Sequence, residues 1–232
     1  MVIGVVVPAH DEAHLIGDCL RSISVAAAVP ALRGEPVHVV VVLDSCKDDT
    51  ALVARRHGAC TVRIDARNVG VARNAGARAV IHGGARWLAF TDADTRVAPD
   101  WLTAQLTLAE AGHDAVCGTV AIDDWQGLPK ALQRRYRARY TDADGHRHVH
   151  GANLGLSVTA YRRAGGFAPL TCHEDVALVE ALLASGADVA WSARPRVVTS
   201  ARLDSRAKGG FGTLLASMAN QVACSTAATG AG

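Results

Sequence analysis

The hydrophobic positions along the chain predict strands that alternate with amphipathic helices. Residues 2–7 and 37–43 are almost continuous apolar runs, which is typical of strands that are covered on both faces. Between such runs, apolar residues recur at helical spacing. The predicted strands of the first half are 2–7, 37–43, 60–64 and 86–91, and the predicted helices are 11–28, 48–57 and 71–82. This alternation predicts a parallel sheet with crossover helices.

The second half has a less regular pattern. His146, His148 and His150 alternate at strand period, which predicts a solvent-facing strand or, as the alternative, a cluster of metal ligands. A last helix is predicted over residues 211–224. The remaining predictions are a strand at 115–122, a basic helix at 127–140, a helix at 176–185 and short strands at 188–191 and 196–198.

Composition narrows the class of protein. The 24 basic and 22 acidic side chains leave a formal charge of +2, which gives no electrostatic footprint for nucleic acid or for an acidic membrane surface. Six scattered cysteines without a C-x-x-C pair predict reduced thiols. No apolar run approaches the roughly 20 residues that a membrane span needs, and no signal peptide is evident. We therefore predict a cytoplasmic protein; its oligomeric state is left open.

Polar side chains follow each predicted strand of the first half. His10 and Glu12 come after the first strand, Asp44 after the second, Asn68 after the third, and the pair Asp92 and Asp94 after the fourth. The carboxyl ends of parallel strands meet at one edge of a sheet, where ligands bind. Two carboxylates placed one residue apart there repel each other unless a cation or a ligand hydroxyl lies between them. The sequence therefore predicts a binding site at this edge.

Two common nucleotide motifs are missing. There is no G-x-G-x-x-G after the first strand and no G-x-x-x-x-G-K-[ST], so dinucleotide and P-loop chemistry are not indicated. The sequence instead carries P-A-H-D-E at 8–12, V-V-L-D-S-C-K-D-D-T at 41–50, N-V-G-V-A-R-N-A-G at 68–76 and D-A-D at 92–94. It continues with G-A-N at 151–153, G-G-F at 165–167 and E-D at 174–175.

In this order, these stretches resemble the motifs of the family 2 glycosyltransferases. The resemblance implies a single α/β domain of GT-A fold, with a Rossmann-like, mostly parallel central sheet flanked by helices and a small mixed region on the acceptor side. We expect residues 1–98 to form the nucleotide-binding half, 99–210 the acceptor and catalytic half, and 211–232 a C-terminal helix and frayed tail.

The resemblance also implies a nucleotide-diphosphate sugar as donor, with UDP favoured and GDP possible. Asp94 would hold Mg²⁺ or Mn²⁺, and Asp92 would face the ribose or the water shell of the metal. Asp44 would accept the ring N–H of the base. For Glu12, a helix-start carboxylate is the alternative. The implied donor-binding residues are Pro8, Ala9, His10, Glu12, Asp44, Asn68, Arg73, Asp92, Asn153 and Arg202.

The resemblance implies that the E-D element at 174–175 contains the catalytic base. Asp175, with Glu174 beside it, would act as the base that takes the proton of an acceptor hydroxyl in an inverting transfer; acidic capping of the following helix is the alternative. Arg202 opens a basic segment that either closes over the diphosphate or is a solvated connector, and this segment continues with Arg206 and Lys208.

The sequence departs from the family pattern at three places. Ser45 stands where the family has a glycine, Asp11 stands where it has an asparagine, and no histidine follows His173, although some relatives place a further metal ligand there. A retaining glycosyltransferase of the same fold stays open because D-x-D does not distinguish the stereochemistry, and an inactive nucleotide-sugar binding protein stays open because of the unusual Ser45 and Cys46. A nucleotidyltransferase is disfavoured because its glycine-rich start is missing.

Overall fold

The computed structural model describes residues 1–202 and 215–219, which fold around one mixed eight-stranded sheet. Its strands are β1 (Val2–Ala9), β2 (Val37–Asp44), β3 (Cys60–Ile64), β4 (Ala85–Phe90), β5 (Thr95–Val97), β6 (Ala115–Ala121), β7 (Leu154–Ser157) and β8 (Val189–Thr199). The helices are α1 (Ile16–Ala27), α2 (Thr50–Arg56), α3 (Val69–His82), α4 (Trp101–Glu110), α5 (Lys130–Arg139), α6 (Val158–Arg163) and α7 (Glu174–Ala184), with a 3₁₀ turn at Pro30–Leu32.

The strand order is β3-β2-β1-β4-β7-β6-β8-β5. The first four strands in this order are parallel to one another. β7 is antiparallel to both β4 and β6, whereas β6 and β8 are parallel. The predicted α/β architecture, with a parallel region and a smaller mixed region, is therefore confirmed. Because β7 runs opposite to its two neighbours, β4 and β6 end at the same edge of the sheet.

Two apolar layers cover the two faces of the sheet. On one face, α1, α2 and α4 pack residues such as Ile16, Ala54 and Trp101 against β1, β2 and β4. On the other face, α3, α6 and α7 contribute residues such as Val80 and Leu178. A third, smaller cluster lies beyond β6, and its members are Ile122, Trp125, Leu132, Tyr136, Ala201, Leu215 and Met218.

Some predicted boundaries are wrong, for local reasons. α1 begins at Ile16 rather than at residue 11, because Asp11 has a φ of 52° and the chain turns before the helix. α5 begins at Lys130, directly after Pro129, rather than at residue 127. The two short strands predicted after residue 187 form the single strand β8.

The strand predicted for the three alternating histidines is also wrong. Residues 146–150 have no strand partner and form an irregular extended segment, which we call the histidine segment. Of the helix predicted at 211–224, residues 215–219 are helical, and the rest lies outside the described residues. Within the described part of the chain, no helix is both long and apolar enough to cross a bilayer.

Candidate active site

The loops that follow the parallel strands meet the start of α7 at one edge of the sheet, as the strand-end pattern predicts. Five of the described acidic side chains at this edge form one group, and two arginines cross-link four of these five. We call this set the carboxylate cluster; its acidic members are Glu12, Asp92, Asp94, Glu174 and Asp175.

Asp44, the last residue of β2, holds the neighbouring loop in place. Its Oδ1 accepts hydrogen bonds from the backbone N–H groups of Ala66 and Arg67, and its Oδ2 accepts one from Asn68, each at 2.8 Å. Burial opposes ionisation of this carboxyl, but the three backbone donors outweigh it and hold the pKa of Asp44 below its ordinary value. Asp44 therefore fixes the backbone where the predicted base slot would lie.

The substitution of glycine by Ser45 preserves the turn after β2. Ser45 adopts a φ of 55°, the left-handed region that glycine enters without strain. Its backbone N–H donates to the carbonyl of Ile64 at 2.9 Å, and its hydroxyl donates to the carboxylates of Asp44 and Asp65. These contacts accompany a left-handed conformation that costs a non-glycine residue about 1–2 kcal/mol.

The first loop is tied to the second through backbone and sulfur contacts. The ring Nδ1 of His10 lies 2.6 Å from the carbonyl oxygen of Asp44. Cys46 Sγ lies 3.2 Å from the carbonyl of Ala9, the last residue of β1, which follows Pro8. The backbone N–H of Lys47 donates to Asp11 at 2.6 Å. Pro8, Ala9 and His10 therefore lie where the sequence predicts them, beside the end of β2.

Asn68 performs two tasks at the start of α3. Its Oδ1 accepts the N–H of Val71 at 3.0 Å, which caps the helix. Its Nδ2 donates to the carbonyl of Leu170 at 2.9 Å, which ties the loop before α7 to the same helix end. Asn68 thus fixes the position of the loop that leads to the E-D element.

Arg73 joins two of the predicted motifs. Its guanidinium is 4% exposed, pairs with Glu174, and lies 2.7 Å from Asp92 Oδ1. Burial would lower the pKa of Arg73, but the charges of Asp92, Glu174 and Asp175 raise it above its ordinary value. Burial raises the pKa of Glu174, and the charge of Arg73 partly opposes this. Gly151 lets the guanidinium fit, since a Cβ there would lie 2.3 Å from Arg73 Cζ.

Arg202 forms a second bridge, between the first loop and the D-A-D element. Its two terminal nitrogens lie 3.0 and 2.6 Å from the carboxylate oxygens of Glu12. One of them also lies 2.9 Å from Asp94 Oδ2. Glu12 is therefore not simply a helix-start carboxylate. It is buried, and it pairs with Arg202, which is 190 residues further along the sequence.

Asp94 lies in a low-dielectric position that suits cation binding. It is 14% exposed, and burial raises its pKa to about 6, with Arg202 opposing and Asp92 and Glu12 adding to the rise. A hard divalent cation prefers carboxylate oxygens and is commonly held by one or two of them together with phosphate oxygens and water. Asp94, with the carboxylate of Asp92 near it, supplies oxygen donors of this kind, so the residues present fit Mg²⁺ or Mn²⁺.

Asp175 lies at the N-terminus of α7, where two backbone donors orient it. Oδ2 accepts the N–H of Gly151 at 2.7 Å, and Oδ1 accepts the N–H of Val176 at 2.9 Å. An ionised carboxylate has about four acceptor positions, so these two contacts leave capacity for the proton of a further hydroxyl. The carboxylate is half-buried at the edge of the cluster.

Asn153 is placed differently from the other predicted donor residues. It is fully buried, its Oδ1 accepts the indole N–H of Trp101 at 2.9 Å, and its Nδ2 donates to the carbonyls of Thr119 and Pro195. All its hydrogen-bonding groups are thereby engaged inside the protein. In this structure Asn153 joins β6, β8 and α4 behind the site and has no exposed surface for a sugar.

The histidine segment does not form a metal cluster. Within residues 1–202 and 215–219, the only group of three side chains close enough for a shared ion is Asp11, Cys46 and Asp48. The histidines instead stack with aromatic rings, and the rings of Tyr140 and His148 lie 4.2 Å apart. Burial lowers the pKa of His150 to about 4.

Sequence reasoning missed the linking role of the two arginines. The resemblance implies a donor-binding role for Arg73, but its two partners in the fold, 19 and 101 residues away, cannot be identified from spacing. The aromatic cluster of Trp125, Tyr136 and Tyr140 was also missed, although Trp125 lies just before the predicted basic helix and the two tyrosines lie within it.

The comparison with known families decides the class of the protein. The sequence model described as "Glycosyl transferase family 2" matches residues 4–164, which include the P-A-H-D-E, D-A-D and G-A-N elements. The chain belongs to glycosyl transferase family 2. No curated protein matches it significantly in sequence.

Solved structures share the fold of this family member. The structure of S. aureus TarS 1–349 in complex with UDP-GlcNAc has a TM-score of 0.67 at 16% identity, covering 91% of this chain and 62% of that one. The mannosyltransferase PcManGT from Pyrobaculum calidifontis, in complex with GDP-Man and Mn²⁺, has a TM-score of 0.64 at 21% identity, covering 88% and 58%. A mycobacterial protein has a TM-score of 0.58 at 18% identity, covering 95% and 72%. The chain thus spans less than two thirds of the first two proteins, and at these identities the likeness concerns the fold.

Proposed function

We propose that this chain transfers a single sugar from a nucleotide-diphosphate donor to an acceptor hydroxyl, with inversion at the anomeric carbon. The observation that carries the proposal is the carboxylate cluster, in which Arg73 and Arg202 bring motifs from distant parts of the sequence together. The printed complexes of TarS with UDP-GlcNAc and of PcManGT with GDP-Man support a nucleotide sugar. We favour a UDP-sugar and retain a GDP-sugar as the alternative.

The donor would lie along the ends of β1, β2 and β4. Asp44 keeps the loop at residues 66–68 in position, and Pro8, Ala9 and His10 border the place of the base. Asp92 is fixed by Arg73 at 2.7 Å and would face the ribose or the water shell of the metal. On this assignment residues 1–98 bind the donor and 99–210 carry the acceptor side.

The metal position would be at Asp94, for which the Mn²⁺ complex of PcManGT is supporting evidence. A bound divalent cation supplies charge neutralisation on the departing diphosphate. Arg202 pairs with Asp94 in this structure, so it would give up this contact to the cation and face the phosphate oxygens, while its pair with Glu12 is kept. The guanidinium of Arg202 would then lie beside the departing diphosphate, where negative charge develops during the transfer.

Asp175 acts as the base. The N–H groups of Gly151 and Val176 hold its carboxylate in one orientation, so it does not have to be ordered when the acceptor arrives. It removes the hydroxyl proton as the oxygen attacks the anomeric carbon on the face opposite the diphosphate. Glu174 positions the site through its pair with Arg73 rather than by touching the reacting atoms.

Calorimetric titration tests the donor assignment. UDP and GDP are each titrated into the wild type with Mn²⁺ or Mg²⁺ and without metal, and the series is repeated with Asp94→Asn. We expect one nucleotide to bind in a metal-dependent manner, with at least tenfold weaker binding in the variant. Asp114→Asn, which alters a carboxylate paired with Arg163 outside the cluster, is the control.

Two results would contradict the proposal. Absence of nucleotide binding under every metal condition removes the donor site, and equal binding by Asp94→Asn removes the metal role. Once a donor that the enzyme turns over is known, the NMR coupling constant of the anomeric proton in the product distinguishes inversion from retention. Nucleotide binding without turnover across a broad acceptor screen would favour an inactive binding protein.

A further inference from the structure

A cavity of about 310 Å³ lies at the C-terminal end of β6, outside the carboxylate cluster. Its volume is at the lower end of the range of roughly 300–1,000 Å³ that is usual for small-molecule sites. β6 ends at the same edge of the sheet as β4, so the cavity faces the side on which Asp92 and Asp94 lie. We call it the aromatic cavity; its lining residues are Val120, Ala121, Ile122, Trp125, Tyr136, Arg137, Tyr140 and Asp142.

The cavity is connected to the proposed base by a short series of contacts. The hydroxyl of Tyr140, on the cavity wall, lies 3.2 Å from His150 Nε2. The next residue, Gly151, donates its backbone N–H to Asp175 at 2.7 Å. In this series of contacts, His150 and Gly151 lie between the Tyr140 wall of the cavity and the Asp175 carboxylate.

The interior of the cavity combines apolar and polar chemistry. Val120, Ile122 and the rings of Trp125 and Tyr136 form apolar walls. The polar lining groups include the Tyr140 hydroxyl and the guanidinium of Arg137. A sugar ring offers both an apolar C–H face for the walls and hydroxyl oxygens for these polar groups.

The charge around the cavity favours an acidic ligand. Arg137 lines it and has no acidic partner within the described residues. The neighbouring exposed side chains of α5 are also basic, namely Lys130, Arg134 and Arg139. Asp142, the one acidic side chain among the described lining residues, pairs with Arg196 at 2.6 Å. The guanidinium fork of arginine matches a carboxylate or phosphate group in two-point contact.

We propose that the aromatic cavity binds one ring of a carbohydrate acceptor, and that this ring carries an acidic group next to Arg137. The accepting hydroxyl belongs to the adjacent ring, beside Asp175. This inference rests on the proposed function and deepens it, because it assigns an acidic glycan as the acceptor class.

The experiment uses the indole signal of Trp125 as a local reporter. The chain has four tryptophans, so a ¹⁵N-labelled sample gives a small set of indole signals, and Trp125→Phe identifies the one needed. Methyl β-D-glucuronide, methyl β-D-glucoside and benzoate are titrated in turn, in the presence of UDP and Mn²⁺. We expect the glucuronide to shift this signal saturably and to bind about tenfold more tightly than the glucoside, as a charged hydrogen bond to Arg137 requires.

Two arginine variants of α5 test whether Arg137 is responsible for the tighter binding of the glucuronide. Arg137→Gln should reduce glucuronide binding to the level of the glucoside, whereas Arg134→Gln, on the same helix but outside the cavity, should leave it unchanged. The inference is overturned if the glucuronide causes no shift, if both glycosides bind equally, if benzoate binds as well as the glucuronide, or if the two variants behave alike. UDP binding is measured in the same samples and tests the proposed function separately. The proposed function and the inference about the acceptor can therefore fail independently of each other.

Discussion

Around Asp44 and Asp92 the polar side chains are held by backbone N–H groups and a buried arginine, whereas around His150 they are held by stacked aromatic rings. The first region surrounds the ends of parallel strands, where several loops offer N–H groups at one point. The second lies beyond β6, where the chain is irregular and the backbone offers fewer fixed donors. Charge can therefore be concentrated in the first region, while the second is suited to recognising the shape of a ligand.

The largest effect is expected from removing the proposed base. Asp175→Asn keeps the shape of the side chain and loses the carboxylate, so turnover should fall by about 10²–10⁴-fold. The measurement is release of nucleoside diphosphate from the bound donor, with and without acceptor. Nucleotide affinity should stay within twofold of wild type.

A variant of an exposed carboxylate, Asp188→Asn, is the control for Asp175→Asn, and it should keep wild-type turnover. If Asp175→Asn retained a tenth or more of the activity, Asp175 would be a helix cap and not a base.

Arg73→Ala should destabilise the carboxylate cluster itself. It removes the buried cation between Asp92 and Glu174, and loss of one partner from a buried pair typically costs about 3–5 kcal/mol. Urea denaturation of the variant measures this loss directly. Arg78→Ala, on the exposed side of the same helix, should change the free energy of unfolding by less than about 0.5 kcal/mol. Equal losses for the two variants would mean that the bridge is not a stabilising element.

His150 should give the aromatic region a distinct pH dependence. Its pKa is about 4 in the fold, against an ordinary value near 6.5, because burial disfavours the charged ring. Asp175 and Asp92 oppose this shift, and His148 and His146 add to it. The unfolded chain therefore binds a proton that the folded chain does not, so stability is complete above pH 6.5 and falls as the pH decreases toward 4.

Urea denaturation at pH 7.5 and pH 4.5 measures this contribution. The loss of unfolding free energy should be about 2 kcal/mol smaller in His150→Gln than in wild type. The exposed His14→Gln should behave as wild type. An unchanged loss in His150→Gln would show that the ring of His150 is not kept neutral by the fold.

The smallest effect concerns Arg202, which is 26% exposed. Arg202→Gln removes the guanidinium that lies 2.9 Å from Asp94, so Mn²⁺ should bind about threefold more tightly in the absence of nucleotide, in keeping with the small energy of partly exposed ion pairs. The free Mn²⁺ signal in electron paramagnetic resonance measures this, with Arg196→Gln as the control. Weaker Mn²⁺ binding in Arg202→Gln would mean that Arg202 supports the metal position instead of competing for it.

The two regions also differ in how well the sequence predicts them. Strands β1 to β4 and the positions of Asp44 and Asp94 follow from apolar runs that end in polar residues, because a buried strand leaves a strong local signal. β5 and β7 are only three and four residues long, too short to give a periodic pattern.

The contacts of the site could not be predicted in the same way. The histidine segment alternates like a strand, yet it pairs with no strand, and the rings of His148 and His150 stack on Tyr140. The partners of Arg202 depend on the tertiary fold, since 190 residues separate it from Glu12. Motif order was enough to identify the family, whereas the links between motifs needed coordinates.

The position of β7 has a consequence for how the chain is made. β4 pairs with β1 on one side and with β7 on the other, but β7 follows β4 by about sixty residues. At a synthesis rate of roughly 5–20 residues per second, β4 would emerge several seconds before its second partner. During this interval its apolar edge is open to pairing with other chains. Nascent chains arrested after β4 has left the ribosome but before β7 has emerged should therefore be the ones most dependent on chaperones.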